Sequence, residues 1–458
     1  MKSRLSLTLS LAVSAALTTL PVLAQGSFRN PFGGSDTGAE QDAQTVTTDA
    51  GSFARPYDTW AAPFMNALYR DGEWGAVLNL SEFGLAAMEQ GRYAIAAKAL
   101  DQAIMRVESI YAGDENASKA RSTFNAEKVK DFKGEPYERS MLYFYRGLLY
   151  VKEGDLQNAR AAFLAADRHD TLSAAEDTAF AGDFGMMKYL AGWASYCDGD
   201  ALRGEQLVSE AKAADNSIAA LPSPPRNHLV LIDTGPAPVK WGDGQYRQIL
   251  KLQAGTGSDD GLTLHSGERT LDAFATLGNV TYQATTRGGR EVDGILAGKA
   301  QFKDTAGTVG NVALNAGAQL AAVGAMTGNR DMSGAGLVGL LIGVVAKAAE
   351  ASANPAADVR AWTSLPAQVD IVADDDVSLD AATFTWSRQA SGKPLALSAS
   401  SGKCALGWAR TRPALSADQG GTAVVASEQP DERNRGDRNK AFRAMLASDF
   451  SPQAVQSR

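Results

Sequence analysis

Few residues of this chain have the types and the spacing that chemistry requires. The 458 residues include two cysteines, Cys197 and Cys404, which could form one disulfide between the two halves of the chain or remain two separate buried thiols. Two cysteines are too few for a disulfide framework or for a cysteine-based zinc site. The three histidines, His169, His228 and His265, have no second ligand at a metal-binding spacing. The sequence therefore predicts no metal centre.

Motifs for catalysis and phosphate binding are also missing from the sequence. The acidic runs 259–260 and 374–376 lack the ligand spacing of a calcium loop. The glycine-rich runs 255–261 and 334–343 do not continue into the Gly-Lys-Ser/Thr of a phosphate-binding loop, and no serine lies in a nucleophile elbow. We predict no catalytic residue and no cofactor. An enzyme that acts on a wall polymer stays an open alternative, because it would need only a carboxylate pair in a cleft.

The charge and the N-terminal residues indicate the compartment. The net charge is −8 at pH 7, which disfavours nucleic acid as a partner because its phosphates bind cationic surfaces. Lys2 and Arg4 precede an apolar stretch over residues 5–20, and the Val-Leu-Ala at 22–24 is a small-residue cleavage site. We predict a cleaved signal peptide, residues 1–24, and export to the periplasm. An uncleaved membrane anchor is the alternative.

Residues 56–221 have the periodicity of packed helices, with apolar residues three and four positions apart. A tetratricopeptide-like template, in which small residues on one helix meet large residues on the next, fits three windows. The matching positions are Leu80, Phe83, Gly84, Ala87, Gly91, Tyr93, Ala96, Leu100 and Ala103, then Tyr143, Gly147, Tyr150, Gly154, Leu156, Ala159, Phe163 and Ala166, then Gly192, Gly199, Gly204, Val208 and Ala211. A helical bundle without repeats is the alternative.

Stacked helical hairpins of this kind form a concave groove that can receive a peptide or a partner's helix. Aromatic and small residues on the inner helices would supply its contact surface. The predicted partner-binding residues of the groove are Tyr93, Tyr137, Arg139, Tyr143 and Tyr150. Tyr137 and Arg139 belong to a Glu-Pro-Tyr-Glu-Arg stretch whose proline and charges are also typical of a helix start.

A proline-rich boundary at 221–225 separates the helical region from a region of short β-type runs. Runs such as 228–234, 279–286 and 404–411 are separated by glycine turns. This pattern predicts an antiparallel β-rich domain over residues 226–411.

An insert over residues 305–353 interrupts the β-rich region and consists mainly of Gly, Ala, Val, Leu and Met. Its most apolar run, 334–346, is shorter than a membrane-spanning helix requires. Gly339 and Gly343 have the spacing that allows two helices to approach closely. We predict a helical hairpin that is laid on the sheet. The alternative is an element that inserts into a membrane or a partner.

Two polar segments flank the folded regions. Residues 25–55 are predicted to be a flexible spacer, and residues 412–458 a disordered tail with a short helix near 440–447. The predicted fold class is therefore α+β and multidomain, with a tetratricopeptide-like α-solenoid before the β-rich domain.

Three separated motifs give the chain a family resemblance. They are Asp-Phe-Lys-Gly-Glu-Pro-Tyr-Glu-Arg-Ser-Met-Leu at 131–142, Gly-Pro-Ala-Pro-Val-Lys at 235–240 and Ala-Asp-Val-Arg-Ala-Trp-Thr-Ser-Leu-Pro at 357–366. With these motifs the chain resembles a family of uncharacterised bacterial envelope proteins that carry tetratricopeptide-like repeats and a β-rich half with a small-residue helical insert. The resemblance covers residues 83–411. Many members are lipoproteins encoded near proteins similar to the curli secretion channel lipoprotein.

This chain lacks the family's lipobox cysteine, so the resemblance leaves membrane tethering open, and it implies no catalytic residue. We expect a non-enzymatic periplasmic scaffold or adaptor that binds envelope proteins or peptides, including secretion-channel-like lipoproteins, through the groove. A peripheral association with the outer membrane is compatible with this role. The alternative is a membrane-engaging assembly factor that uses residues 305–353.

Overall fold

The structure, a computed structural model, describes residues 46, 48–112, 131–171, 183–245, 247–286, 357–416, 419 and 436–457. The predicted signal peptide, 1–24, and the predicted insert, 305–353, lie outside these residues. The described helices are α1 (Ala62–Glu89), α2 (Tyr93–Ala112), α3 (Pro136–Glu153), α4 (Leu156–Thr171), α5 (Gly185–Cys197), α6 (Ala201–Ala214), α7 (Val280–Thr286), α8 (Gly436–Asp449) and α9 (Pro452–Gln456), with a 3₁₀ turn at Asn216–Ile218.

The described strands are β1 (His228–Thr234), β2 (Val239–Asp243), β3 (Ile249–Gln253), β4 (Thr263–Ser266), β5 (Arg269–Leu271), β6 (Ala275–Gly278), β7 (Gln368–Asp374), β8 (Thr383–Trp386), β9 (Gln389–Pro394), β10 (Leu397–Ser401) and β11 (Cys404–Arg410). This composition confirms the predicted mixture of a helical first half and a β-rich second half.

Three helical hairpins, α1/α2, α3/α4 and α5/α6, follow one another, and each second helix packs against the first helix of the next hairpin. In every hairpin a glycine of the first helix lies against a large residue 16 positions later, at 84 and 100, 147 and 163, and 192 and 208. A Cβ atom on these glycines would lie 2.4–2.8 Å from the partner side chain. The absence of a side chain is therefore what lets each pair of helices approach.

Helix α3 begins and ends at signals that are visible in the sequence. Pro136 occupies its first turn, and the Glu138 carboxylate accepts a hydrogen bond from the Glu135 N–H at 2.6 Å. This arrangement satisfies a backbone donor that a helix start leaves without a partner. The helix ends at Gly154 in the left-handed conformation, with φ of 78°. The prediction of a helix start at the Glu-Pro-Tyr-Glu-Arg stretch is confirmed.

Three sheets make up the β-rich half. The five-stranded sheet has the order β10-β11-β1-β7-β6, the four-stranded sheet the order β5-β4-β8-β9, and β2 and β3 form a separate two-stranded hairpin. Most neighbours are antiparallel, as predicted, whereas β1 and β11 pair in parallel. The prediction of a purely antiparallel domain is thus wrong at β11, which joins the sheet beside β1 in the parallel direction.

The five-stranded sheet lies between the helices and the four-stranded sheet. Along β1, Leu229 and Leu231 belong to the core shared with the helices, while Val230 and Ile232 belong to the core shared with Phe384 of the other sheet. The alternation follows from the pleat, which turns successive side chains to opposite faces. Because both faces are covered, nearly every residue of β1 and β11 is buried.

One predicted strand and one predicted spacer are helical. Residues 280–286 form α7, since the Asn279 side chain accepts a hydrogen bond from the Tyr282 N–H at 2.8 Å and caps the helix start. Within the predicted spacer, residues 48–54 are helical and Ala50 is completely buried. The spacer prediction is therefore wrong for these residues.

The short helix predicted near 440–447 is confirmed as part of α8, but the prediction of disorder around it is wrong over residues 436–457, which contain α8 and α9. Helix α8 packs against α1 and buries Phe442 and Leu446. It meets α1 at a kink, where Gly72 has φ of 57° and Asn439 accepts a hydrogen bond from the Glu73 N–H at 2.9 Å. A side chain at Gly72 would clash with Asn439 and would also be strained at this φ.

A disulfide joins Cys197, the last residue of α5, to Cys404, the first residue of β11. The first of the two sequence readings, a bonded pair, is thereby confirmed. The bond fixes the third helical hairpin to the five-stranded sheet, and its closed loop spans 207 residues.

We expect replacement of both cysteines by serine to lower the free energy of unfolding by up to about 5 kcal/mol, because the unfolded chain regains the entropy of that long loop. Chemical denaturation of the double variant and the wild type measures the difference. Wild-type protein in a reducing agent is the control and should unfold like the variant. Coinciding curves for the variant and the oxidised wild type would contradict the structural role of the bond.

Candidate interaction surface

The five residues predicted to line a partner-binding groove do not form an open groove. Tyr137, Arg139 and Tyr143 are buried, and Tyr93 and Tyr150 are half-buried. The chain's own sheet lies against these helices: the Tyr93 hydroxyl donates to the carbonyl of Ala396, and Tyr145 donates to Asp233 of β1 at 2.7 Å. The burial of Tyr137, Arg139 and Tyr143 contradicts their predicted role as partner-contacting residues, while a groove elsewhere on the helices stays a prediction.

The histidines and acidic turns have structural contacts. His169 is buried, stacks on Tyr143 and lies 3.1 Å from Glu108, and His228 contacts the carbonyl of Val377. The acidic turn at 374–376 binds arginines, with Asp374 held by Arg269 at 2.8 Å. In the ranges that the structure describes, no three His, Cys, Asp or Glu side chains lie close enough to hold a metal ion.

The three motifs that carry the family resemblance meet in space, although 102 residues separate the first two contact residues. Lys240 donates a hydrogen bond to Glu138 at 2.6 Å and a second one to the carbonyl of Arg360 at 2.9 Å. The other Glu138 oxygen accepts from the Trp362 N–H at 2.8 Å. We call Glu138, Lys240, Arg360 and Trp362 the motif junction. Each of these four residues belongs to one of the three motifs.

The motif junction is removed from water. The side chains of Lys240 and Glu138 are only 1% and 2% exposed. Arg360 is also buried; its guanidinium is held by Asp358 at 2.7 Å and lies 4.2 Å from the ring centre of Trp74. A buried ion pair is tolerated only when its remaining hydrogen-bonding capacity is satisfied, which the carbonyl of Arg360 and the amide of Trp362 provide here.

The β2/β3 hairpin lies directly over the motif junction and has two different faces. Lys240 and Leu250 point inward and are buried, while Val239, Trp241 and Ile249 point outward and are exposed. The antiparallel register places Trp241 opposite Lys251 and Ile249 opposite Asp243. The inward Lys240 therefore anchors strand β2. Its two neighbours in the strand, Val239 and Trp241, expose apolar side chains to solvent.

Exposed large apolar side chains are concentrated around this hairpin. Among the described residues there are seven such side chains, and five of them lie on the hairpin or on the two segments packed beside it. The segments are α7, which packs against β3, and the loop that begins at Ala357, whose N–H donates to Arg247 at the hairpin turn. We define the hairpin surface by these five residues, which are 42–44% exposed: Val239, Trp241, Ile249, Tyr282 and Val359.

A surface of this kind is uncommon on an isolated soluble domain, where exposed apolar residues are usually scattered singly. The two other exposed residues, Met105 on α2 and Leu202 on α6, fit that usual pattern. None of the described helices is long and apolar enough to cross a membrane.

This surface was not predicted from the sequence, because strand β2 was not predicted. The signal that could have found it is the alternation Val-Lys-Trp at 239–241, followed by Gly-Asp-Gly and the alternation Ile-Leu-Lys-Leu at 249–252. Two apolar residues on the outer face of a short hairpin are easily taken for core residues, since the sequence alone does not show which face is covered.

A second polar cluster joins helix α1 to the five-stranded sheet. Glu82 is completely buried and accepts hydrogen bonds from the Thr363 N–H at 3.0 Å and from the Ser364 hydroxyl. Arg410 donates to the carbonyl of Ser364 and lies 3.3 Å from Asp233. Burial raises the pKa of Glu82 to about 8 and that of Asp233 to about 6, while the neighbouring Arg410 opposes both shifts. The cluster therefore links helix α1 to strands β1 and β11 through the loop before β7.

Comparison with known proteins adds no relative, since no family model, no curated protein and no solved structure matches this chain. The family resemblance of the three motifs therefore stays a prediction.

Replacement of Lys240 by Met is expected to lower the free energy of unfolding by about 3–5 kcal/mol, because it leaves the buried Glu138 carboxylate without its cation. The matched control is Lys251→Met on the outer face, which we expect to change stability by less than about 0.5 kcal/mol. Adding Glu138→Gln to the Lys240 variant should restore part of the loss. Equal effects of the two lysine substitutions in chemical denaturation would show that the motif junction does not hold the hairpin.

Glu82 should make the protein less stable as the pH rises. Its pKa is about 8 in the folded protein against an ordinary value of 4.5, so the folded state keeps a proton that the unfolded chain releases. The stabilisation is complete below about pH 4.5 and is lost as the pH rises through 8, a change on the order of 4 kcal/mol. Denaturation at pH 5 and pH 8.5 should show that Glu82→Gln flattens this dependence.

The control for this experiment is Glu205→Gln, which changes an exposed glutamate on α6 and should leave the pH dependence of the wild type intact. A Glu82 variant that keeps the full pH dependence would refute a buried, neutral Glu82.

Proposed function

We propose that this chain is a non-enzymatic scaffold of the cell envelope that attaches to a second envelope component through the hairpin surface. The observation that carries the proposal is the concentration of exposed apolar side chains over a buried, hydrogen-bonded junction. Such a surface gains free energy when it is covered, because apolar area leaves water. It also needs little ordering on binding, because the motif junction already fixes the hairpin.

Export to the periplasm is part of the proposal. The signal-like sequence of residues 1–24 and the disulfide between Cys197 and Cys404 support it, since disulfides persist mainly in oxidising compartments. We also propose that the three helical hairpins are tetratricopeptide-like repeats, which their shared 16-residue glycine spacing supports. In this chain their role is to carry the sheet and hairpin, because Tyr145 and Tyr93 bind the sheet side of the structure.

The predicted partners, envelope proteins, peptides or secretion-channel-like lipoproteins, would then meet the hairpin surface instead of a helical groove. The contact requires no bond chemistry. The contact would hold the folded protein at the envelope component that covers Val239, Trp241 and Ile249.

Fractionation of cells that produce the full chain tests the proposal. We expect the wild type to sediment with the envelope after osmotic release of soluble periplasmic proteins, and the Trp241→Ser variant to move to the soluble fraction. The matched control is Leu202→Ser, which removes an exposed apolar side chain, 84% exposed, from the remote helix α6. Unfolding curves establish that both variants are folded. Identical distribution of the three proteins would refute attachment through the hairpin surface.

A further inference from the structure

We propose that the component covering the hairpin surface is a lipid bilayer surface that contains anionic lipids. This inference rests on the proposed function and names its partner. Three features of the described residues favour it: the types of the exposed side chains, the charges beside them, and the place where the chain enters and leaves residues 287–356.

The exposed side chains have the composition of a membrane-interface contact. Trp241 and Tyr282 are amphipathic aromatic residues, which are enriched at the level of lipid headgroups. Val239, Ile249 and Val359 add aliphatic area beside them. Such an apolar face can enter the boundary between headgroups and acyl chains without crossing the bilayer.

Two exposed cations lie beside the apolar residues, although the whole chain has a net charge of −8. Lys251 lies opposite Trp241 in the hairpin register, and Arg247 lies at the turn; both are exposed. Two acids lie nearby: Asp358 is paired with the buried Arg360 at 2.7 Å, and Asp243 accepts a hydrogen bond from the Gly244 N–H at 2.8 Å. Both acids are only partly exposed, whereas Lys251 and Arg247 are exposed. Cations at the rim of an apolar face complement anionic headgroups.

The described chain breaks off and resumes beside the hairpin surface. Helix α7 ends at Thr286 beside β3, and the described chain resumes at Ala357, whose N–H donates to the carbonyl of Arg247 at 2.9 Å. Residues 287–356 connect these two points, and their sequence contains the apolar run 334–346. The described residues on either side of 287–356 thus lie beside the hairpin.

The buried contacts of Lys240 fix the orientation of the hairpin surface. Lys240 is held by Glu138 and by the carbonyl of Arg360, so the outward direction of Val239 and Trp241 is set before any membrane is met. A preformed face loses little conformational entropy on binding.

Vesicle flotation with the purified, oxidised full-length mature chain tests the proposal. The probes are vesicles of phosphatidylcholine alone and vesicles in which part of it is replaced by phosphatidylglycerol. We expect binding to the anionic vesicles that weakens at high salt, because exposed charges are screened. Trp241→Ser should lower the apparent partition coefficient roughly tenfold, whereas Leu202→Ser should leave it unchanged. Lys251→Glu should weaken binding to anionic vesicles only.

Absence of binding to both kinds of vesicle would overturn the lipid assignment, as would binding that Trp241→Ser does not reduce. If cell fractionation then still depends on Trp241, the proposed function stands and a protein covers the surface. If instead the purified protein forms dimers in sedimentation experiments that Trp241→Ser abolishes, and binds no vesicle, a second copy of the chain is the occupant and the lipid assignment is also overturned.

Discussion

The ion pair between Lys240 and Glu138 connects the parts of this molecule that matter most for its proposed role. Glu138 lies in the first turn of α3, within the helical half, and Lys240 lies on the inner face of the β2/β3 hairpin. Two charges without water are stable only together, so the hairpin cannot leave the helix without exposing or stranding one of them. The hydrogen bonds to Arg360 and Trp362 extend this constraint to the loop before β7.

Buried contacts also hold the five-stranded sheet against the helices. The five-stranded sheet lies against the helical hairpins through a shared apolar core, and buried polar contacts such as Tyr145 with Asp233 fix its position on that core. The disulfide closes the third hairpin onto β11. The five-stranded sheet thus packs against the helical hairpins of its own chain, and the proposed attachment surface lies on the β2/β3 hairpin.

Local features of the fold were predictable because their causes are local. The strand at 228–234 and the turn glycines at 91 and 154 follow from short-range patterns, and each was found from the sequence. The helix near 440–447 was also predicted, but the surrounding charges hid the fact that its apolar residues Phe442 and Leu446 pack on the folded chain.

The candidate site was not predictable in the same way, because its cause is long-range. A lysine between two apolar residues of a strand is ordinarily taken for a solvent-facing residue. Lys240 is buried only because α3 brings Glu138 to it from 102 residues away, and this reverses which face of β2 is covered. The apolar residues Val239 and Trp241 consequently face solvent, the reverse of what the alternation by itself suggests.

The most direct test of this account is hydroxyl-radical footprinting of Trp241 and Leu202 in the purified protein and in sealed envelopes from cells that produce it. Both side chains are exposed in the structure, so both should be oxidised in the purified protein. In the envelopes, the account predicts that Trp241 is protected while Leu202 is oxidised as before. Equal oxidation of Trp241 in the two preparations would contradict the claim that the hairpin surface is the attachment site.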